Sequence, residues 1–318
     1  MRSVFLDYAT VSSGDLDPAA LQRALPGIVL QAVSAEHEVG PRMAGCEVVL
    51  TNKLQMSRER MAATPTLKLI GLTATGTNNV DLEAARERGI IVCNIRDYCT
   101  PSVAQHVLGV ILALTHRYAD YSRIATDGSW GRSPQFTMLD FPIRELRGRV
   151  LGVVGWGALG RGAATVCESA LGMRVMIANR PGGARVAGRI DLHELLPIAD
   201  VLTLHCPLTP ATTGLIGARE LASMKPDALL INTARGALID VDALAAALRA
   251  RRLGGAAIDV LPQEPPVDGS PLFAPDLPNL IVTPHTAWAA KESRQLSIDE
   301  LALNVTDALA GGHRGRVV

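Results

Sequence analysis

Short apolar runs alternate with segments of helical spacing along almost the whole chain. In its N-terminal part we predict five buried strands, at residues 4–6, 28–30, 48–50, 67–72 and 90–93. The predicted helices lie between them, at residues 18–24, 57–63 and 82–88. Strands and helices that alternate in this way predict a parallel sheet covered by helices.

The same alternation resumes after a long apolar segment that begins near residue 100. Thr100 suits the N-cap and Pro101 the first turn of a helix over residues 102–118, which we expect to cross from one domain to another. Further strands are predicted at residues 150–154, 174–178, 201–205, 228–232, 256–260 and 280–283. The pattern of apolar and polar positions over residues 291–309 predicts one amphipathic helix. The second series has enough strands for a doubly wound sheet.

The strand over residues 150–154 runs directly into a glycine-rich turn. Gly155, Gly157 and Gly160 form the pattern G-x-G-x-x-G, and an Ala/Val-rich helical segment follows. The first glycine permits a tight turn, the second lets backbone amides approach a pyrophosphate, and the third lets the helix pack on the strand. A chance turn or a loop for S-adenosylmethionine gives the same pattern, but the strand–helix setting favours a dinucleotide.

Composition narrows the class of partner. Hydrophobic residues make up 48% and charged residues 19% of the 318-residue chain, which is typical of a globular protein. Thirty-one basic and 31 acidic side chains cancel without a basic block, so we expect neither nucleic acid nor a membrane as a partner. The N-terminus has no signal-peptide pattern, and the five scattered cysteines predict reduced thiols and no metal site. We expect a cytoplasmic protein.

Three polar residues follow successive strands of the second series. Arg235, Glu264 and His285 come just after the strands at 228–232, 256–260 and 280–283. Such residues meet at the carboxyl edge of a parallel sheet. Arginine can hold a carboxylate bidentately, histidine can transfer a proton near neutral pH, and a neighbouring carboxylate fixes its tautomer. Any one of them alone is as readily a surface or capping residue.

A loop of small and polar residues follows the strand at 67–72. Its sequence is TATGTNNVD, in which Thr75, Gly76 and Thr77 offer backbone amides to an anion. The alternative is a plain turn capped by Asn79 and Asp81.

The chain resembles the D-isomer-specific 2-hydroxyacid dehydrogenase family over essentially its whole length. The resemblance is carried by GVVGWGALGR (152–161), LHCPLTPATTGLI (204–216), MKPDALLINTARGALID (224–240), AAIDVLPQEP (256–265) and the pair Pro284-His285. TGTNNVD and CTPSVAQHV are most similar to the glycerate dehydrogenase/hydroxypyruvate reductase branch. The resemblance implies an α/β fold in which a Rossmann-type doubly wound cofactor domain is joined to a smaller flavodoxin-like substrate domain. We expect the substrate domain to be discontinuous, residues 1–99 and 289–318, and the dinucleotide-binding domain to span residues 100–288.

The family pattern also implies roles for matching residues. His285 would be the proton donor, Glu264 its partner and Arg235 the substrate-orienting residue, with the substrate carboxylate bound by backbone around Thr75 and Gly76. Asp259 would lie close to the nicotinamide. The implied cofactor-binding residues are Gly155, Gly157, Ala158, Leu159, Gly160, Asn179, Arg180, His205, Cys206, Pro207, Thr212, Thr233, Ala234, Arg235, Asp259, His285 and Ala287. A homodimer formed through residues 102–130 is implied as well.

Two positions depart from the family pattern. Thr286, Ala287 and Trp288 replace a Gly that usually follows soon after the catalytic His, which predicts a bulkier pocket wall. Asn179-Arg180 stands where NAD enzymes usually carry an Asp or Glu for the ribose hydroxyls. With no carboxylate there to repel a 2′-phosphate, and with Arg180 and Arg185 available to pair with it, NADP(H) is favoured and NAD(H) is possible.

The expected activity is reversible hydride transfer between a nicotinamide and a short 2-keto or 2-hydroxy acid, most simply hydroxypyruvate or glyoxylate to D-glycerate or glycolate. A phosphoglycerate dehydrogenase-like enzyme is one alternative, although few residues follow His285 to form a regulatory domain. A non-catalytic, dinucleotide-sensing binding protein of the same fold is the other, and the complete Arg/Glu/His set argues against it.

Overall fold

The computed structural model describes all 318 residues. The chain divides into two compact units, Met1–Cys99 with Ala289–Val318 and Thr100–Trp288. The strands are β1 (Ser3–Phe5), β2 (Val29–Leu30), β3 (Val48–Thr51), β4 (Leu69–Leu72), β5 (Ile91–Cys93), β6 (Val150–Val154), β7 (Arg174–Ile177), β8 (Val201–Leu204), β9 (Leu229–Asn232), β10 (Gly255–Ile258) and β11 (Leu280–Val282). The helices are α1 (Ala19–Ala24), α2 (Glu36–Met43), α3 (Arg58–Ala62), α4 (Leu82–Glu87), α5 (Thr100–His116), α6 (Tyr118–Thr126), α7 (Ala158–Leu171), α8 (Leu192–Leu195), α9 (Ala218–Ser223), α10 (Val241–Arg249) and α11 (Lys291–Leu309).

The unit Met1–Cys99 with Ala289–Val318 contains a five-stranded parallel sheet in the order β2-β1-β3-β4-β5. This is the flavodoxin-like order, as the family resemblance implied. Helix α11 packs on β4, where a Cβ on Gly71 would lie 2.9 Å from the Leu301 side chain. The last residues of the chain extend the sheet, because Arg316 forms an antiparallel bridge with Cys93 and the Val317 amide donates to the Val92 carbonyl at 2.7 Å.

The unit Thr100–Trp288 contains a six-stranded parallel sheet in the order β11-β10-β9-β8-β6-β7. The chain leaves β6 for β7 on one side and returns to β8 on the other, so the strand order reverses between β6 and β8. A single parallel bridge from Ala178 to Ile190 adds a rudimentary strand beyond β7. The doubly wound Rossmann-type sheet is therefore confirmed, and the switch point lies at the carboxyl ends of β6 and β8.

The long helix after residue 100 differs from its prediction. It begins at Thr100 and ends at His116, because Arg117 adopts a left-handed conformation with φ +54° and a second helix, α6, starts at Tyr118. The Thr100 hydroxyl is buried without a partner, so the predicted N-cap is wrong. The close packing of α5 on α7 explains its burial, since a Cβ on Gly162 would lie 2.5 Å from the Thr100 methyl group.

Elsewhere the predicted elements are present, with ends that move by one or two residues. Helix α2 has no counterpart in the prediction, because Gly40 and Pro41 inside it are typical of turns. None of the helices combines the length and hydropathy that crossing a bilayer requires.

Candidate active site

Five neighbouring strands of the Rossmann-type sheet end in one row. Register pairs join Val154 to Leu204, Leu204 to Asn232, Asn232 to Ile258 and Ile258 to Val282. The residues that come next along the five strands are Gly155, His205, Thr233, Asp259 and Thr283. The carboxyl edge of the sheet thus presents one polar or glycine residue from each strand, and Arg235, Glu264 and His285 follow within a few residues.

The three glycines after β6 occupy different environments. Gly155 has φ +103°, and a Cβ there would lie 2.5 Å from backbone atoms of His205 and Cys206. A Cβ on Gly160 would lie 2.0 Å from the Gly155 carbonyl oxygen, whereas a Cβ on Gly157 would meet nothing within 4 Å. Gly155 and Gly160 are therefore required for the close packing of the turn. Gly157 leaves space in front of the first turn of α7, where the backbone amides of residues such as Ala158 and Leu159 can donate to a bound anion.

Two buried polar atoms at the same edge have no partner. His205 bonds the Thr203 hydroxyl through Nε2 at 2.9 Å, but its Nδ1 is buried and unpaired, as is the Thr233 hydroxyl oxygen on the next strand. Burial lowers the pKa of His205 to about 4, so the ring is neutral. Buried polar groups need hydrogen bonds, and a ligand with donors and acceptors of its own would supply them. The glycine turn and these orphaned atoms fit a dinucleotide.

The segment after His205 is a self-contained turn. Cys206 is buried, and burial raises the pKa of its thiol. The Thr212 hydroxyl donates to the Pro207 carbonyl at 2.8 Å and accepts from the Thr209 amide at 2.8 Å. Thr212 therefore closes this turn with its side chain.

The end of β7 carries a carboxylate that the sequence did not reveal. The Asn179 side chain donates to Asp191 at 2.6 Å and accepts from the Val186 amide at 3.0 Å. Arg185 also pairs with Asp191. The hydrogen bond from Asn179, reinforced by Arg185 against the opposing effect of burial, lowers the pKa of Asp191. The expectations that no carboxylate lies here and that Arg185 is available are therefore wrong, while Arg180 is exposed and forms no ion pair.

The loop after β9 is held by the side-chain amide of Asn232. Asn232 donates to the Arg235 carbonyl at 2.9 Å and accepts from the Ala234 amide at 3.0 Å. A Cβ on Gly236 would lie 1.9 Å from the Leu261 carbonyl carbon, so this glycine lets the loop carrying Arg235 touch the loop carrying Glu264. Sequence reasoning missed Gly236, since nothing near it in the chain marks that contact.

His285 and Glu264 form a hydrogen-bonded pair. His285 Nδ1 donates to Glu264 Oε2 at 2.7 Å, and Glu264 Oε1 accepts from the Leu261 amide at 2.8 Å. The His285 and Glu264 side chains are 26% and 35% exposed, so both remain accessible from solvent. Because a carboxylate only accepts, Nδ1 carries the proton and Nε2 is the ring nitrogen left for another molecule.

The buried Asp259 carboxylate lies beneath the segment that carries His285. It accepts from the Thr283 hydroxyl at 2.5 Å, the Thr286 amide at 2.8 Å and the Ala287 amide at 2.9 Å. The Ala287 carbonyl in turn accepts from Ser102 at 2.8 Å. Burial lowers the pKa of His106 on α5, and the negative charge of Asp259 opposes that shift.

In the other unit, the loop after β4 offers unused backbone donors. The Asn94 side chain holds this loop by donating to the Thr75 carbonyl at 2.7 Å, and Asp81 caps α4. The amides of Thr75, Gly76 and Thr77 donate to no other group of the protein. The predicted anion-binding donors are present, and the capping role of Asp81 coexists with them.

Asp191, His193 and Glu194 form a cluster of potential metal ligands, with ligand atoms within 4.8 Å of one another. His193 and Glu194 are exposed, and Asp191 is already paired with Asn179 and Arg185.

The glycine turn at the switch point and the histidine–carboxylate pair on the same sheet edge together define a dinucleotide-dependent oxidoreductase. Residues 108–287 match the family model described as D-isomer specific 2-hydroxyacid dehydrogenase, NAD binding domain. The chain belongs to the D-isomer-specific 2-hydroxyacid dehydrogenase family.

Named relatives and a solved structure agree with this assignment. The chain is 46% identical over 274 residues to the glycerate dehydrogenase of Methylorubrum extorquens, covering 86% of each chain. It is 34% identical over 317 residues to the hydroxypyruvate reductase of Blautia hydrogenotrophica, covering 98% of each. A crystal structure of a Thermus thermophilus protein superposes with a TM-score of 0.87 at 34% identity, covering 100% of both chains.

Proposed function

We propose that this oxidoreductase reduces a short 2-keto acid to its D-2-hydroxy acid, with hydroxypyruvate or glyoxylate as substrate and D-glycerate or glycolate as product. The observation that carries the proposal is the 2.7 Å hydrogen bond between His285 and Glu264 on the edge that also bears the glycine turn. The names of the Methylorubrum and Blautia relatives support this choice of substrate.

His285 is the proton donor in this proposal. When bound, the reduced nicotinamide supplies the hydride to the carbonyl carbon. His285 Nε2 gives its proton to the carbonyl oxygen, so that the product alcohol is neutral, and the Glu264 carboxylate stabilises the charged ring before the transfer and keeps Nδ1 protonated. In the oxidative direction His285 takes the hydroxyl proton back.

Arg235 and the loop after β4 bind the substrate in the same proposal. The Arg235 guanidinium donates to the substrate carboxylate or keto oxygen, a role that its planar fork of donors suits. The free amides of Thr75 and Gly76 hold the carboxylate, since adjacent backbone donors form anion-binding concavities. Residues 1–99 with 289–318 then act as the substrate domain and residues 100–288 as the cofactor domain.

We propose NADP(H) as the favoured cofactor. Arg180 is exposed, has no ion-pair partner and follows β7, where a 2′-phosphate would come to lie. Asp191 carries a negative charge nearby, but Arg185 offsets it. An exposed ion pair contributes up to about 1 kcal/mol and a charge-assisted hydrogen bond about 1.5–3 kcal/mol, so we expect about tenfold in kcat/KM.

Cofactor choice is tested by exchanging the charges. Arg180→Ala should remove the preference for NADPH. Asn179→Asp alone would set two carboxylates 2.6 Å apart, so the matched variant combines it with Asp191→Asn, which keeps the hydrogen bond. Equal kcat/KM values for NADPH and NADH in the wild-type protein would refute the proposal.

The oligomer that we propose is a homodimer formed through α5, α6 and the segment that follows them. Large apolar side chains are unusually exposed there, with Phe136 90% and Leu139 83% accessible and Tyr118, Trp130 and Ile143 more than half accessible. Contiguous exposed apolar groups mark interaction surfaces. Light scattering of the Phe136→Glu/Leu139→Glu variant should report a monomer where the wild-type protein is a dimer.

The five cysteines support a cytoplasmic location, which we propose. All five are buried and none forms a disulfide. Unpaired cysteines are typical of reducing compartments.

The activity is tested by initial rates on a panel of 2-keto acids with NADH and with NADPH. Hydroxypyruvate and glyoxylate should give the highest kcat/KM, and pyruvate, 2-ketobutyrate and phenylpyruvate should be poorer. No turnover on any 2-keto acid, with reduced cofactor still bound, would favour the dinucleotide-sensing alternative.

A further inference from the structure

Asp259 makes an unusual set of contacts for a residue at a cofactor-binding edge. It is 2% exposed. Its Oδ1 accepts from the Thr283 hydroxyl and the Thr286 amide, its Oδ2 accepts from the Ala287 amide, and its carbonyl accepts from the His285 amide at 2.8 Å. Four donors from residues 283–287 therefore converge on one aspartate.

The backbone that these bonds hold is strained. His285 has φ +55°, in the left-handed region that non-glycine residues rarely occupy. That conformation costs roughly 1–2 kcal/mol, so it persists only where surrounding contacts impose it. The Asp259 bonds lie on both sides of His285 in the chain, at Thr283 and at Thr286–Ala287, and they supply that restraint.

We propose that Asp259 is a positioning residue that acts through His285: it clamps the 283–287 loop so that the ring is aimed at the reacting carbonyl. The inference rests on the proposed role of His285 as proton donor. It adds to the expectation that Asp259 lies close to the nicotinamide, because three donors of the 283–287 loop bond its carboxylate. A 1 Å misplacement of a reacting group can cost about 10²-fold in rate.

The test is a double-mutant cycle in turnover. Asp259→Asn keeps one acceptor oxygen but turns an amide toward a backbone donor, and kcat should fall by about 10- to 100-fold. In a protein that already carries His285→Ala, Asp259→Asn should lower kcat by less than about threefold, because the ring through which Asp259 acts is then absent. If the loss of kcat in the double variant equals the product of the losses in the two single variants, the inference is overturned. If His285→Ala itself kept wild-type turnover, the proposed function would fail instead.

Binding and exchange measurements separate a clamp from a cofactor contact. The dissociation constant of reduced cofactor for Asp259→Asn should stay within about threefold of wild type, as should KM for the keto acid. In cofactor-free protein, the amides of residues 285–287 should exchange faster with solvent. A cofactor affinity that falls as far as turnover would overturn the inference.

Thr283 provides a second route if Asp259→Asn does not fold. Thr283→Val deletes one donor to the clamp without changing charge and should lower kcat severalfold, again only while His285 is present. Thr283→Ser keeps the hydroxyl and should retain near wild-type turnover. Equal turnover of the Val and Ser variants would contradict the clamp.

Discussion

Two glycines of the turn after β6, Gly157 and Gly160, should respond to alanine in different ways. Gly160→Ala places a methyl group 2.0 Å from the Gly155 carbonyl oxygen, where a contact of 3.0 Å is the least that proteins accept. The helix and the turn must separate by about 1 Å. Gly157→Ala meets nothing within 4 Å, and its backbone, at φ −84° and ψ −168°, is open to alanine.

The expected magnitudes follow from these contacts. Overpacking costs about 1–3 kcal/mol, and in a unit of this size each kcal/mol lowers Tm by about 2–4 °C, so Gly160→Ala should lose about 2–12 °C. Gly157→Ala has two opposite effects on the free energy of unfolding. Alanine is a poorer N-cap than glycine, which destabilises the folded chain, but it also makes the unfolded chain less flexible, so the net change should lie within about 0.5 kcal/mol. The alanine methyl group would instead block the approach of a pyrophosphate and remove one charge-assisted hydrogen bond, about 1.5–3 kcal/mol or roughly 10- to 100-fold in Kd.

Thermal unfolding without cofactor and fluorescence titration with reduced cofactor measure the two effects separately. Gly157→Ala should keep the wild-type Tm and lose affinity, and Gly160→Ala should lose Tm. The reasoning is refuted if Gly157→Ala binds the reduced cofactor like the wild-type protein, or if it is destabilised as much as Gly160→Ala.

Three further predictions concern single side chains. His285→Gln should reduce turnover by about 10²- to 10⁴-fold in initial-rate assays while the Kd for reduced cofactor is unchanged; wild-type turnover would contradict its role. Arg235→Lys keeps the charge but loses the planar fork, so kcat/KM for keto acids should fall while cofactor affinity does not; equal losses in both would indicate a structural role. Burial lowers the folded-state pKa of His205 to about 4, below the ordinary histidine value of 6.5. The unfolded chain therefore binds more protons between these pH values, and the free energy of unfolding should fall as pH drops from 6.5 toward 4. His205→Gln should flatten that fall, by up to about 3 kcal/mol, in urea titrations across this range, and an unchanged slope would show that the ring does not titrate there.

Local patterns predicted the alternation of strands and helices and the two parallel sheets, and the family resemblance supplied the flavodoxin-like type of the first one. Each strand is a short apolar run next to a turn signal, and the glycine pattern after β6 indicates both the strand–helix turn and its ligand class. Helix α5 was extended too far because the apolar spacing continues up to Tyr118, whereas the break depends on the left-handed backbone of Arg117. Its Nε donates to Asp120 at 2.6 Å, a contact that composition does not reveal.

The features of the site that could not be predicted depend on contacts distant in sequence. Asp191 lies 12 residues beyond Asn179, and only the folded loop brings its carboxylate to the end of β7. The need for glycine at position 236 is visible only in the folded chain, where the backbone of Leu261 leaves no space for a Cβ. Arg235, Glu264 and His285 could be selected from the sequence because parallel strands bring their carboxyl ends to one edge of the sheet.

The path of the chain through the flavodoxin-like unit also bears on how the protein is made. Residues 1–99 leave the ribosome before Thr100–Trp288, but α11 and Arg316, which pairs with β5, come after the whole of that unit. At about 5–20 residues per second, translation of that insertion takes roughly 10–40 s. For this interval the face of β4 that α11 later covers is exposed on a nascent chain, while the contiguous Rossmann-type unit can finish first. The segment before the Rossmann-type unit therefore waits longer than that unit to complete its core, and it is where a nascent-chain chaperone would have most to protect.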